Sequence, residues 1–337
     1  MISIDKTIKE IGCTEPGRVP KDVYTSLEPM VIRGLVTDWP LVKMGLKSAP
    51  DAGDYLKSFY QNIPVTASIG DPDIEGRIFY NKDFSGFNYQ SVKADLNDLL
   101  DNIYNCAEDE KPPTFYMAST FVDRWFSGFR EENPLNLDTD NPLVSVWLGN
   151  RSRIAAHYDL PDNIACCAVG RRRFTLFPPD QLANLYPGPI DWAPGGQPIS
   201  LVDFKNPDYK QFPNFKHALE SAQVTTLEPG DGIYIPSMWW HHVEGLDALN
   251  ILVNYWWRQS PNYMDTPANT LLYALMSIRD LPVEQKKIWR GMFDYYIFDA
   301  DKDSHSHIPK QARGSLGSIN ESLSRKIRSL LLKKINR

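Results

Sequence analysis

The chain has 337 residues, 42% hydrophobic and 12% aromatic, with a formal net charge of −6 and a pI near 5.6. That is enough apolar material for one enlarged domain with a large core, and the acidic balance argues against general nucleic-acid binding, which normally shows a broad basic surface. No run approaches the roughly twenty apolar residues of a membrane helix, and the run Met1-Ile-Ser-Ile-Asp-Lys-Thr-Ile-Lys-Glu10 does not read as a secretory signal. The expectation is a cytoplasmic protein without membrane association. Cys13, Cys106, Cys166 and Cys167 show no Cys-x-x-Cys spacing, which excludes a zinc knuckle or a disulfide framework.

In chain order, residues 1–110 read as an α+β region packing on a barrel of residues 111–260, with Pro29-Met-Val-Ile-Arg-Gly34 as a strand and Asp38-Trp-Pro40 as a turn. Residues 111–260 carry short apolar, β-rich runs closed by glycine or proline. These are Trp147-Leu-Gly-Asn150, Asn163-Ile-Ala-Cys-Cys-Ala-Val-Gly170 and Arg171-Arg-Arg-Phe-Thr-Leu-Phe-Pro-Pro179. Leu227-Glu-Pro-Gly-Asp-Gly-Ile-Tyr-Ile-Pro236 reads as a turn followed by a buried strand. Many short strands broken in this way indicate a β-sandwich or barrel, not alternating βαβ units. Cys166 and Cys167 fall in a core strand as small apolar fillers. The excursion from Tyr186 to Pro198 is placed to overhang the barrel mouth.

Residues 261–337 form a helical region with a basic tail. Leu271, Leu272, Leu275, Met276 and Ile278 suggest an amphipathic helix. From Ser318 to Arg337, Ile319, Leu323, Ile327, Leu330 and Leu331 recur at helical spacing, consistent with a helix packing back on the domain. His305 and His307 in Asp303-Ser-His-Ser-His-Ile308 read as a solvated loop, not a metal pair.

His157-Tyr158-Asp159 and His241, in Trp239-Trp-His-His-Val243, carry the chemistry. Two imidazoles and one carboxylate are the facial set that holds Fe(II) in oxygenases and leaves coordination positions open. His157 and Asp159 are two residues apart, so on an extended segment both project from one face. Consecutive strand residues face opposite sides, so His241 and His242 cannot both reach one ion.

His157-Tyr-Asp159, Gly170 followed by a basic residue and Phe174-Thr-Leu-Phe-Pro-Pro179, Gly230-Asp-Gly-Ile-Tyr-Ile-Pro236, Trp239-Trp-His-His-Val243 and Asn254-Tyr-Trp256 resemble the JmjC, cupin-like oxygenases. Within that group the chain is most similar to the branch containing the asparaginyl hydroxylase that inhibits hypoxia-inducible factor, and to bacterial cupin-like proteins. The resemblance runs from Pro29 to Gln259 and implies a double-stranded β-helix (jelly roll) with flanking helices, Fe(II) near one mouth, and 2-oxoglutarate as co-substrate. Its Trp-Trp-His pattern selects His241 as the third ligand.

In such a barrel 2-oxoglutarate chelates iron through its 2-oxo and 1-carboxylate oxygens, and its far carboxylate needs a cation. Arg172 is the inward candidate among Arg171-Arg172-Arg173, since alternation turns its neighbours outward. The hydroxylase branch has lysine there; guanidinium can replace it with two parallel hydrogen bonds. Ile154 stands where the resemblance leads one to expect a threonine hydroxyl. Asn163, Asn254 and Tyr116 match positions that line the co-substrate pocket, while Trp256, Trp257 and Tyr158 read as pocket wall or core.

The reading is an Fe(II)- and 2-oxoglutarate-dependent oxygenase, a hydroxylase using O2 on a protein side chain, amino acid or small metabolite. The alternatives are a JmjC-type N-demethylase and a non-catalytic cupin-like binding protein. Relatives that dimerise through C-terminal helices imply a homodimer.

Overall fold

The computed structural model describes residues 2 and 4–336. Met1 and Ser3 of the N-terminal run, and Arg337 of the basic tail, lie outside them.

Two compact units divide the chain after Arg258. The first contains fourteen strands among the described residues: β1 (Lys9–Gly12), β2 (Met30–Arg33), β3 (Val65–Gly70), β4 (Arg77–Ile78), β5 (Gln90–Ala94), β6 (Thr114–Phe121), β7 (Leu143–Gly149), β8 (Ser152–His157), β9 (Asp162–Val169), β10 (Arg172–Phe177), β11 (Gln223–Leu227), β12 (Gly232–Ile235), β13 (Trp240–Gly245) and β14 (Asn250–Trp257). They form a nine-stranded sheet, β1-β2-β12-β9-β14-β7-β6-β3-β5, and a five-stranded sheet, β11-β10-β13-β8-β4. This is the expected jelly roll, and strands from the first hundred residues extend its larger sheet.

Side-chain alternation sorts each strand between two cores. On β9, Ala165 and Cys167 point between the sheets with Phe174, Leu176, Ile233 and Val243. Ile164 and Cys166 point the other way, toward a core shared with Leu41, Leu56, Leu99 and Ile103. The last four residues come from α1 (Pro40–Gly45), α2 (Ala49–Lys57) and α3 (Leu96–Asn105), which cover the outer face of the large sheet. The short helices α4 (Val122–Trp125) and α5 (Phe129–Glu132) follow β6. Outside the small sheet, α6 (Phe215–Ser221) places Phe215 and Ala218 in a third core with Ala156, Phe177 and Trp240.

The turn from β9 to β10 sets which arginine faces inward. Gly170 has φ +68°, and a Cβ there would lie 2.4 Å from the Leu249 carbonyl oxygen and 2.7 Å from Asn250 Oδ1. Only glycine takes this conformation in this space. With the turn so fixed, Arg172 enters β10 opposite Leu227 and Gly245 and is 2% exposed. Arg171 bonds outside to Asp247.

The second unit holds α7 (Pro267–Ser277), α8 (Val283–Phe293) and α9 (Glu321–Ile335). The amphipathic helix expected around Leu271 to Ile278 is α7, and α8 starts separately after Pro282, a residue that fits only at a helix start. Thr266 and Asn320 cap α7 and α9 by accepting from the backbone N–H of Ala268 and Leu323. His305 departs from the solvated loop expected of it. It is 8% exposed and stacks on Tyr295, with ring planes 11° apart. Among the described residues, no helix is long and apolar enough to cross a membrane.

Candidate metal centre

β8 ends at His157 and β13 begins at Trp240, so both histidines stand at one end of the small sheet. His157 lies opposite His241, yet the next pair is Ile154 with Val243. Two residues of β8, Ala155 and Ala156, therefore stand opposite one of β13, His242, which is a β-bulge. Plain alternation would send Ile154 and His157 to opposite faces. The extra residue restores them to the same face, and both line the cavity between the sheets.

Each ligand ring is aimed by its own backbone. His157 Nδ1 lies 2.9 Å from the Ala155 carbonyl oxygen, and His241 Nδ1 lies 3.0 Å from that of Trp239. A carbonyl only accepts, so Nδ1 carries the proton in each neutral ring and Nε2 is left with its lone pair. Burial and the neighbouring His157 pull the His241 pKa down to about 4, against the opposing pull of Asp159. His241 is therefore neutral at pH 7, the state in which imidazole binds a metal.

Asp159 lies beyond the end of β8, not on it as the spacing suggested. Its position comes from a neighbouring turn: Met238 N–H donates to the Asp159 carbonyl at 2.9 Å, and Ser237 Oγ donates to that of Leu160 at 2.6 Å. Buried Asp162 accepts from Ser237 N–H and Tyr234 O–H. His241 Nε2 then lies 3.7 Å from Asp159 Oδ2, and one ligand atom from each of His157, Asp159 and His241 falls within 4.8 Å of the others. One ion can reach all three. Two unprotonated imidazole nitrogens and one carboxylate fit Fe(II) in chemistry as well as in spacing.

His242 points out of the barrel, with its ring centroid 4.6 Å from that of Phe204. Tyr158 also faces away, against Trp240 at 5.0 Å.

Arg172, Tyr116, Asn163, Asn254, Ile154 and Trp256 all line the cavity that holds the triad. Trp257 does not; it packs in the core beneath the helices. Arg172 Nε and Nη2 are buried without a hydrogen-bond partner. Desolvation lowers the pKa of this arginine, though guanidinium keeps its proton across the physiological range. Burial also pushes the Tyr116 phenol up to about 12, against the pull of Arg172, so it stays an O–H donor. A buried cation with unused donors lacks an anion, and a ligand carboxylate supplies one. Ile154 adds only hydrocarbon, so no hydroxyl assists from that position.

The excursion expected to overhang the mouth packs elsewhere. The cavity lining contains no residue of 186–198, and Trp192 lies against Tyr80 and Phe87, with centroids 4.9 and 5.1 Å away. Sequence reasoning missed the bulge, the carbonyls of Ala155 and Trp239, and Trp147, which lines the cavity and donates to Asn254 Oδ1 at 2.7 Å. The Trp147 indole had a sequence signal, an aromatic on a core strand, but its partner lies 107 residues away.

The cupin-like domain family matches residues 16–263. The chain belongs to the JmjC, cupin-like family of oxygenases. This cupin-like chain is 35% identical over 269 residues to HSPB1-associated protein 1 from Homo sapiens, covering 70% of the chain and 49% of that protein. It is 29% identical over 201 residues to lysine-specific demethylase JMJ31 from Arabidopsis thaliana, covering 54% of the chain and 34% of the relative. With tRNA wybutosine-synthesizing protein 5 from Gallus gallus it shares 24% identity over 309 residues, covering 81% of the chain and 88% of the relative. The matched regions thus span a third to a half of the first two relatives.

Proposed function

We propose that this protein is an Fe(II)- and 2-oxoglutarate-dependent hydroxylase of a neutral group on a protein side chain, amino acid or small metabolite. The observation that carries the reading is the pairing, in one cavity, of the His157–Asp159–His241 triad with the buried Arg172, whose Nε and Nη2 have no hydrogen-bond partner. Neither alone requires 2-oxoglutarate; together they match its two ends.

Fe(II) bound by the triad would supply the oxidation of a substrate C–H bond by O2, coupled to conversion of 2-oxoglutarate to succinate and CO2. The protein's own residues set the conditions. Arg172 pairs the far carboxylate, and Asn163, Asn254 and Tyr116 give hydrogen bonds along the co-substrate. Phe174, Val243, Leu252 and Ile235 keep water from its hydrocarbon stem.

Hydroxylation is favoured over N-demethylation by the charges of the cavity. Among the described residues Asp159 is the one lining carboxylate and it belongs to the triad, so the cavity holds no further anion to balance a methylated ammonium near the metal. Formaldehyde release would reverse that preference.

The helical unit exposes Leu271, Leu272, Met276, Ile288, Trp289, Leu330 and Leu331, which supports a homodimer through these helices. The four unpaired thiols accord with a cytoplasmic setting.

The test is O2-dependent formation of succinate from 2-oxoglutarate by the Fe(II)-loaded chain, followed by mass spectrometry of candidate proteins and metabolites for one added oxygen. Absence of succinate formation, together with no 2-oxoglutarate binding, would leave a cupin-like binding protein.

A further inference from the structure

We infer that Trp147 is a positioning residue: its indole N–H fixes which way round the carboxamides of Asn254 and Asn163 stand, so that Asn163 meets a bound ligand through its amide N–H2. The inference rests on the reading that the cavity takes an anionic co-substrate.

The two ends of a carboxamide are nearly the same size, one donating and the other accepting, so a buried asparagine can present either to a ligand. An indole N–H can only donate. Trp147 Nε1 lies 2.7 Å from Asn254 Oδ1 and so commits that oxygen. Asn254 Nδ2 must then face Asn163, where it donates to Oδ1 at 3.3 Å. With its oxygen turned toward the Asn254 donor, Asn163 has Nδ2 on its opposite side, and no hydrogen bond from Nδ2 occurs among the described residues. Asn254 and Asn163 are 1% and 6% exposed, so water cannot easily supply an alternative arrangement.

The polarity set in this way agrees with the rest of the wall. Trp256 faces Asn163 across the β9–β14 pair, and its Nε1–H is buried without a partner. Arg172 adds Nε–H and Nη2–H at the other end of the cavity. Away from the His157–Asp159–His241 triad, the lining therefore presents the donors of Trp256, Asn163 and Arg172. A ligand with carboxylate oxygens at both ends suits that wall, whereas one carrying N–H groups does not.

Removing the indole N–H frees Asn254 to rotate, and Asn163 with it. The ligand carboxylate would then face a carbonyl oxygen for part of the time, exchanging a charge-assisted hydrogen bond for repulsion. The expected loss is about tenfold in affinity, the lower end for a hydrogen bond to a charged group.

The experiment is calorimetric titration of 2-oxoglutarate into the full chain loaded with Mn(II) under anaerobic conditions, for wild type, Trp147→Phe, Asn254→Ala and the double variant. Trp147→Phe should bind about tenfold more weakly with Mn(II) affinity unchanged, and should add nothing further in the Asn254→Ala background. A role in packing alone, against Tyr116 and Trp256, would cost the same in both backgrounds and would overturn the inference. If Trp147→Phe does not fold, Asn163→Asp decides, since it puts an acceptor oxygen where the amide N–H2 is inferred to meet the ligand: wild-type affinity in that variant is the overturning result. A wild-type protein that does not bind 2-oxoglutarate removes the functional reading itself, whereas wild-type binding with additive losses removes only the role of Trp147.

Discussion

His157 and His241 face each other directly across the β8–β13 pair, with ring centroids 4.3 Å apart. Each ring is held through Nδ1 by a carbonyl two residues before it in the chain, so the two Nε2 atoms converge without help from any distant side chain. The bulge at Ala155-Ala156 and the turn around Met238 supply the remaining geometry.

Replacing His157, Asp159 or His241 by Ala should abolish Fe(II)-dependent turnover and weaken Fe(II) binding, while the far-ultraviolet circular dichroism stays that of the wild type. The three side chains sit at strand ends and in a turn, where truncation leaves the sheet pairing intact. Asp159→Ala protein with wild-type succinate production would remove the assignment.

His242 should behave differently, because it faces Phe204 outside the barrel. His242→Phe should keep most of the Fe(II) affinity that His241→Ala loses. Stability should also depend on pH through this ring. Burial, then the charge of Arg153, hold the His242 pKa down to about 3 in the folded chain, below the 6.5 of an ordinary histidine. As pH falls from about 6.5 the unfolded chain takes up this proton first, so the stability given by the neutral ring is complete above that value and is lost toward pH 3, by up to about 1.4 kcal/mol per unit. Urea midpoints of metal-free protein between pH 7 and 4 should fall less steeply for His242→Phe than for wild type. Equal slopes would mean that His242 is not buried neutral.

Much of this site was legible in the sequence because metal chemistry restricts residue types so strongly. His157, Asp159 and His241 were found from the facial set and strand context, Arg172 from alternation after Gly170. What escaped depends on pairing between distant strands. The bulge exists only in the register of β8 against β13, and the Trp147–Asn254 bond joins β7 to β14. Asp159 was expected on a strand and is instead placed by turn hydrogen bonds. His305 was expected in solvent because its neighbours are polar, yet Tyr295 and Tyr296 cover it. The separate start of α8 had a visible signal in Pro282, overlooked beside the apolar periodicity.

Gly170→Ala should destabilise the fold by about 1–3 kcal/mol, the usual cost of a residue forced into a sparsely populated backbone region, with the 2.4 Å approach to the Leu249 carbonyl adding to it. Because this turn delivers Arg172, 2-oxoglutarate affinity should fall with it, whereas the triad at the other end of the sheet should keep its Fe(II) affinity. Thermal unfolding and separate titrations with Fe(II) and 2-oxoglutarate check both parts. A variant with unchanged stability would show that the turn can relax.

Arg172 sets stability against function. In the ligand-free protein its buried guanidinium has Nε and Nη2 unpaired, an arrangement that costs free energy. Arg172→Met fills nearly the same volume without a charge. Replacing buried ionic groups by apolar residues of similar size is often neutral or stabilising by about 1–4 kcal/mol, so the metal-free variant should melt no lower than wild type, and up to several degrees higher. The same substitution should weaken 2-oxoglutarate on the order of a hundredfold, as loss of about 3 kcal/mol from a charge-assisted contact would, and Arg172→Lys should recover part of it. Fe(II) affinity should change little in either variant. Two measurements on one protein, a melting curve without ligand and a 2-oxoglutarate titration with metal, should therefore move in opposite directions. If Arg172→Met lowers stability sharply while 2-oxoglutarate binds as in wild type, the arginine belongs to the fold and the co-substrate carboxylate is held elsewhere.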